Sequence, residues 1–351
     1  MQTTKPTVLF NLFRLSGSIT PYLDRLTDAG FNVVANPHDR FYTEEEMIAV
    51  IPGAFAAIAA GEPYTEAVFQ AGKELRVVAR WGVGYNEIDV EAATRHGVMV
   101  ALAFGTNHEA VADGTLALMG ALAENIIPHH CRVKSGGWGF DAHPGLWRAT
   151  VGIVGLGRIG KAVARRCRGY EVQVLACDIA EDRQYAEAHG IRLVPLAQLL
   201  READFVTLHA PLMPETQNLI NAERLALMKP TAFLINTARG GLVDECALYD
   251  ALLHRRIAGA GLDVFRQEPP TGSPLLALDN VILSPHAFAN SMRAEAMMGD
   301  RCIRSVLAVG KGEELAAEYV VNPIVLHSRT RASDDPVLPG TACPLHEGRT
   351  L

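Results

Sequence analysis

The sequence predicts an α/β protein of two domains, each built on a parallel sheet. Three observations carry that expectation. At 351 residues the chain exceeds what a single core organises comfortably. Its first hundred residues alternate short apolar runs with amphipathic segments, and a second alternation of the same kind begins at Thr150. Alternation of strand and helix aligns the strands in parallel and covers both faces of the sheet.

In the first series, residues 8–13 read as a strand. Thr20-Pro21 then reads as a helix cap followed by proline at the first helical position, with Gly30 as the stop. Residues 31–35 form the next strand, and Thr43-Glu44-Glu45-Glu46 is a capping box that opens a second helix. Residues 54–59, 76–80 and 98–101 read as buried strands, with helices at 65–73 and 90–96 between them. Residues 107–125 are helical and apolar on most sides, which marks a buried helix or a subunit contact. Residues 128–146, rich in Gly, His and Trp, read as a loop or arm.

In the second series, strands are expected at 151–154, 172–177, 204–208, 232–235, 259–262 and 281–283, with a helix at 158–168 after the first of them. A helix at 291–309 follows, then a loop to Val325. The segment 328–351 is polar and aperiodic and reads as a tail.

Composition narrows the partners. A hydrophobic share of 49% against 20% charged residues is that of a soluble globular chain. The net charge of -7 argues against nucleic acid or an anionic membrane as partner, since either needs a basic face. The six cysteines form no CxxC pair and the twelve histidines no HExxH pattern, so neither a disulfide framework nor a metal site is expected. No signal-peptide core or membrane-spanning run is visible, and the expected compartment is the cytoplasm.

The motif with the clearest chemistry is Gly155-Leu-Gly157-Arg158-Ile159-Gly160, which follows an apolar strand and opens a helix. Glycines there permit a tight turn and close approach to a pyrophosphate, which the amides at the helix start can bind. The next strand ends in Asp178, 18 residues beyond Gly160, where a carboxylate accepts ribose hydroxyls. Together these predict a dinucleotide site. The charge of Asp178 favours NAD over NADP, because it repels a 2′-phosphate.

Three further strand ends carry polar groups where open α/β sheets place ligands. Asn236-Thr237-Ala238-Arg239-Gly240-Gly241 offers a guanidinium fork suited to a carboxylate, although a lone Arg is more often a surface ion-pair partner. Ser284-Pro285-His286 offers an imidazole, although a lone His is more often structural. Glu268 lies between them in sequence. A carboxylate bonded to a histidine ring fixes its tautomer and suits it to acid–base exchange with an alcohol and a carbonyl.

With these residues in view, the sequence resembles the D-isomer-specific 2-hydroxyacid dehydrogenases, a family that includes phosphoglycerate, glyoxylate and hydroxypyruvate reductases. The resemblance spans about residues 50–326 and rests on seven motifs in family order. They are Arg80-Trp-Gly-Val-Gly84, Gly155–Gly160, His209-Ala-Pro211-Leu, Asn236-Thr-Ala-Arg239-Gly-Gly, Gly261-Leu-Asp263-Val, Glu268-Pro269 and Ser284-Pro-His286.

The resemblance implies that Arg239 anchors and polarises a 2-oxo acid, that His286 moves the proton at the C2 oxygen, and that Glu268 pairs with His286. It implies that the backbone amides of Val83 and Gly84 hold the substrate carboxylate. Arg158, Ile159, Asp178, His209, Pro211, Ala238 and Asp263 map onto the family's cofactor shell. The implied fold is a pair of Rossmann- or flavodoxin-like domains, the NAD domain (104–293) being inserted into a substrate domain (1–103 with 294–327). A homodimer joined through the helix at 107–125 and the Trp138–Trp147 arm is implied as well.

Phosphoglycerate-specific members carry an arginine where this chain has Ala59, followed here by Ala60, Gly61 and Glu62. The missing cation and added carboxylate are expected to disfavour a phosphorylated substrate. Glu268 stands where formate-oxidising members carry Gln. Phosphoglycerate dehydrogenase is one alternative, and an NAD-sensing corepressor-like binding protein, which shares the fold, is another of a different class.

Overall fold

The computed structural model describes residues 5–13 and 18–329. The described residues form two compact units: one built from the chain up to Asn107 and from Met292 onward, the other from His108–Ser291. These divisions lie a few residues from the expected 103/104 and 293/294. A cut at 294 would split the helix Met292–Gly310, which belongs whole to the first unit.

The first unit holds β1 (Thr7–Phe10), β2 (Asn32–Ala35), β3 (Ala54–Ala59), β4 (Val77–Arg80) and β5 (Met99–Leu102), in the order β2-β1-β3-β4-β5 and all parallel. β3 is buried along its whole length, as a strand covered on both faces must be. The helices Glu44–Val50, Glu66–Ala71 and Val90–Arg95 bury Met47, Val68, Phe69 and Ala92 against one face. Thr20–Asp28 and Met292–Gly310 pack on each other, the latter also against β4. The Thr43–Glu46 capping box forms as expected. The cap at the first helix does not: Ile19 holds that position without a side-chain bond, and Thr20 is already helical.

β5 is an edge strand, and an uncovered edge is a template for pairing with another chain. Here residues 320–322 cover it. Val320 bridges Ala101 in antiparallel sense, and the Val321 amide donates to the Val100 carbonyl. Buried Asn322 accepts from the Val100 amide at 3.0 Å and donates to Thr94 Oγ1 at 3.0 Å and to the Val98 carbonyl at 2.9 Å. Past it the chain forms the short helix Ile324–Arg329 where a loop was expected; the remainder of the expected tail, 330–351, lies outside the described residues.

The second unit holds β6 (Thr150–Val154), β7 (Gln173–Cys177), β8 (Arg192–Leu193), β9 (Phe205–Leu208), β10 (Phe233–Asn236), β11 (Gly259–Leu262) and β12 (Val281–Leu283). Their order is β12-β11-β10-β9-β6-β7-β8, again all parallel. The chain winds one way from β6 to β8 and the other way from β9 to β12, so the switch point lies between β6 and β9. Side chains alternate along β6: Val151 and Ile153 join the core under the helices His108–Ala123 and Arg158–Cys167, and Val154 joins the core on the opposite face. The helix His108–Ala123 is apolar on nearly every side because it is enclosed. Residues 126–134 are helical, although 128–134 were expected as part of a loop or arm; Pro128 falls in the first turn, where a missing N–H costs no helical bond.

Asn322→Ala should strand the buried Val100 amide and free the strip that covers β5. A loss of about 1–3 kcal/mol is expected, the cost of an unsatisfied buried donor, read as a lower urea midpoint at unchanged slope. An unchanged midpoint would show that the strip contributes nothing to the edge.

Candidate active site

Register decides which residues meet in the second unit. Val154 pairs with Leu208, Leu208 with Asn236, Asn236 with Leu262 and Leu262 with Leu283, so five strands end level. The loops that follow, carrying Gly155, His209, Arg239, Glu268 and His286, therefore emerge along one carboxyl edge.

At the switch point the Gly155 amide donates to the Cys177 carbonyl at 2.8 Å, and Gly155 takes φ +94°. A Cβ there would lie 2.7 Å from the His209 carbonyl carbon and the Ala210 nitrogen, so a side chain is sterically excluded. A Cβ on Gly160 would lie 2.1 Å from the Gly155 carbonyl oxygen, and its absence lets the helix seat on the turn. Gly157 and Arg158 are exposed at the start of that ten-residue helix, and nothing stands within 4 Å of a Cβ built on Gly157.

Asp178 accepts from the Leu156 amide at 2.5 Å and the Ala180 amide at 2.9 Å, which ties the glycine turn to the end of β7. His209 faces Thr207 Oγ1 through Nε2 at 3.0 Å; its Nδ1 is buried without a partner, and burial pushes the ring pKa down to about 3. The open space beside Gly157, the helix amides and the fixed carboxylate of Asp178 fit a dinucleotide. Pro211 and Ala238 lie on the loops after β9 and β10, on the same edge.

The Arg239 loop is shaped by Asn236, a residue the sequence reading did not single out. Its Oδ1 accepts from the Ala238 amide at 3.1 Å, its Nδ2 donates to the Arg239 carbonyl at 2.9 Å, and its own carbonyl accepts from the Asp263 amide at 3.0 Å. A polar side chain buried at the end of an apolar strand was the available signal. Gly240 then lets this loop abut the next one: a Cβ there would stand 1.9 Å from the Phe265 carbonyl carbon.

Glu268 Oε1 accepts from the Phe265 amide at 2.9 Å, and Oε2 meets His286 Nδ1 at 2.7 Å. Burial alone would raise the Glu268 pKa. The hydrogen bond and charge of His286, the Phe265 amide and the nearby Arg239 charge outweigh it and hold the carboxyl below its ordinary 4.5.

His286 sits in the left-handed region at φ +53°, which costs a residue with a Cβ. Asp263 holds the turn. Its carbonyl accepts from the His286 amide at 2.7 Å, and its buried carboxylate accepts from the Ala287 amide at 2.9 Å and the Phe288 amide at 3.3 Å. Burial pushes that carboxyl upward in pKa, against these amides, the Ser284 side chain and the His286 charge. Mapped by resemblance to the cofactor shell, Asp263 in this structure braces the histidine turn. Phe288 anchors the turn from its far side, packed where a Cβ on Gly114 would come within 2.3 Å of it.

In the first unit, Val83 and Gly84 lie half-buried just past β4, and among the described residues neither amide donates a hydrogen bond. Glu62 corrects an expectation. It is 1% exposed, takes Asn11 Nδ2 at 2.7 Å and the Ala60 amide at 3.1 Å, and burial raises its pKa. A carboxyl enclosed and bonded in this way does not stand before a ligand as a repelling charge.

A Rossmann-type crevice beside an Arg–Glu–His set defines an oxidoreductase that uses a dinucleotide. The model of the D-isomer specific 2-hydroxyacid dehydrogenase, NAD binding domain, matches residues 116–287. A glyoxylate reductase of Korarchaeum cryptofilum is 43% identical over 259 residues, 72% of this chain and 78% of that protein. A D-3-phosphoglycerate dehydrogenase of Methanocaldococcus jannaschii is 40% identical over 80% of this chain, which spans only 54% of that longer protein. The solved D-lactate dehydrogenase from Aquifex aeolicus, complexed with NAD and lactic acid, superposes with a TM-score of 0.82 at 26% identity, covering 90% of this chain and 99% of that one. The chain belongs to the D-isomer-specific 2-hydroxyacid dehydrogenase family, and it is an NAD-dependent oxidoreductase.

Because the folded Glu268 pKa lies below its ordinary value, the carboxylate stabilises the fold above about pH 4.5, and that contribution is lost as pH falls through the lowered value. The melting-temperature gap between the native protein and Glu268→Gln should therefore be open at pH 6 and close on acidification below about 4.5. A gap that widens over that acid range would contradict the assignment.

Proposed function

We propose that the chain interconverts a small 2-oxo acid and its D-2-hydroxy acid, with His286 as the general acid and base. The observation that carries this reading is the 2.7 Å contact between His286 Nδ1 and Glu268 Oε2. It holds the proton on Nδ1 of the neutral ring and leaves Nε2 to exchange a proton with the substrate oxygen. The ring stays 42% exposed, as a group that meets substrate must.

When bound, NAD(H) supplies or accepts the hydride at C2. The chain's residues do the rest. Arg239 polarises the C2 carbonyl and offers its fork to the carboxylate. The amides of Val83 and Gly84, which donate no other hydrogen bond among the described residues, donate to a substrate carboxylate. In reduction, His286 begins protonated and delivers its proton to the oxygen as it gains charge; in oxidation it begins neutral and takes that proton away. Asp178, Arg158, Ile159, His209, Pro211 and Ala238 serve the cofactor.

The assay is NADH oxidation with a panel of 2-oxo acids. His286→Asn should lower kcat by at least about 100-fold, the usual scale for a lost general acid, while NADH still binds. Reduction should weaken as pH rises and oxidation as pH falls. Near-native kcat in His286→Asn would remove the assignment. A native protein that binds NADH and turns over no 2-oxo acid would instead be a sensor.

We also infer a homodimer in the cytoplasm. Trp138, Phe140 and Trp147 are 90%, 93% and 68% exposed, and Ile126 and Val133 add to the same apolar stretch. The five described cysteines are unbridged, which suits a reducing compartment. Among the described residues no single helix is long and apolar enough to cross a membrane. Sedimentation should give twice the chain mass at micromolar concentration; a stable monomer would exclude the pairing.

A further inference from the structure

Within the second unit, the helix His108–Ala123 reaches both the loop that carries Arg239 and the turn that carries His286. It does so through two consecutive buried residues near its middle, Gly114 and Thr115.

A glycine inside a helix weakens it relative to alanine, because a more flexible backbone must be ordered. Here the space it leaves is filled. A Cβ on Gly114 would stand 2.3 Å from Phe288 Cγ, 2.5 Å from Cδ2 and 2.8 Å from Cβ. Rotation about χ1 would move the ring but not the Phe288 Cβ, so an added methyl would push on the backbone. Phe288 follows His286 by two residues, and its amide is held by the Asp263 carboxylate at 3.3 Å. His286 itself lies at φ +53°, a conformation that its surroundings must impose. A shift at Phe288 is therefore passed to the imidazole.

Thr115 donates its hydroxyl proton to the Val111 carbonyl at 2.8 Å. A threonine has one such proton, so in its 3.0 Å contact with buried Thr237 it accepts and Thr237 donates. Thr237 begins the loop that Asn236 folds around Ala238 and Arg239. The helix is fixed in turn. A Cβ on Gly261 of β11 would come within 3.2 Å of Leu118, so helix and strand pack closely. Glu109 pairs with Arg165 at 2.6 Å and Asp113 with Arg166 at 2.7 Å, both on the helix that follows the glycine turn.

We propose that Gly114 and Thr115 are positioning residues for the reaction, acting through Phe288 and Thr237 to hold the His286 and Arg239 side chains in one mutual geometry. The inference rests on the acid–base reading above and adds what keeps its two groups in place.

The test measures reduction of glyoxylate, pyruvate, hydroxypyruvate and phenylpyruvate by NADH, with kcat expressed per NADH-binding site titrated by fluorescence. Gly114→Ala should lower kcat by about 100-fold, the effect of displacing a reacting group by an ångström, with NADH affinity unchanged. Phe288→Ala should also lower kcat, and the double variant should be no slower than Phe288→Ala alone, because the methyl no longer meets the ring. Thr115→Val keeps the shape but removes the acceptor for Thr237, and should lower kcat/KM by about tenfold. Thr115→Ser, which keeps the hydroxyl, should restore most of it. A merely structural role would reduce the number of NADH sites or the unfolding midpoint and leave turnover per site unchanged. Near-native kcat per site in Gly114→Ala, or losses that multiply in the double variant, would overturn the brace and leave the dehydrogenase reading standing. Native kcat/KM in Thr115→Val would do the same, whether or not Gly114→Ala folds. A native protein that reduces none of the four acids would overturn the dehydrogenase reading, and the brace with it.

Discussion

Five parallel strands that end level are the constraint on which the second unit depends. Parallel pairing through Val154, Leu208, Asn236, Leu262 and Leu283 leaves no choice about where their loops emerge. A dinucleotide turn, a guanidinium and an imidazole distant in sequence thereby share one edge. A slip of one residue in any pairing would turn inward-facing side chains outward and tilt a loop off that edge, at the cost of a core lined by Val206, Leu234 and Ala260.

Level strands bring the loops together, but backbone contacts set their fine geometry. Gly240 allows the Arg239 loop to touch the backbone of Phe265, and the Phe265 amide in turn holds Glu268. Asn236 joins the two strands concerned by receiving the Asp263 amide. Asp263 then keeps His286 in a conformation it would not hold alone. Each link is a hydrogen bond or a missing side chain.

Buried carboxylates serve two purposes in the molecule. Asp263 and Glu62 are each about as enclosed as a core leucine, and each meets several N–H or O–H donors, the condition under which burying a carboxyl is tolerable. Asp263 braces the turn that carries His286. Glu62 accepts from Asn11 and from the Ala60 amide just past β3. Reading Glu62 as a charge at the surface assumed exposure, and exposure is a property of the folded chain.

Periodicity and glycine placement in the sequence alone were enough for the parallel α/β architecture, the glycine turn with Asp178, and the strand-end positions of Arg239, Glu268 and His286. These depend on local pattern: alternation reports burial, and a strand end reports where a loop starts. What sequence could not supply was distance. That Asn236 and Asp263 brace the loops follows from register and loop closure between residues far apart in the chain, and the pairing of Glu268 with His286, which only the resemblance had implied, is closed by the same register. The same limit explains the helix at 126–134, which runs into a stretch whose Gly, His and Trp content read as a loop, with Pro128 in its first turn. Tertiary structure decided these points because hydrogen bonding and burial are settled by which strands lie side by side, and a linear pattern does not encode its neighbours.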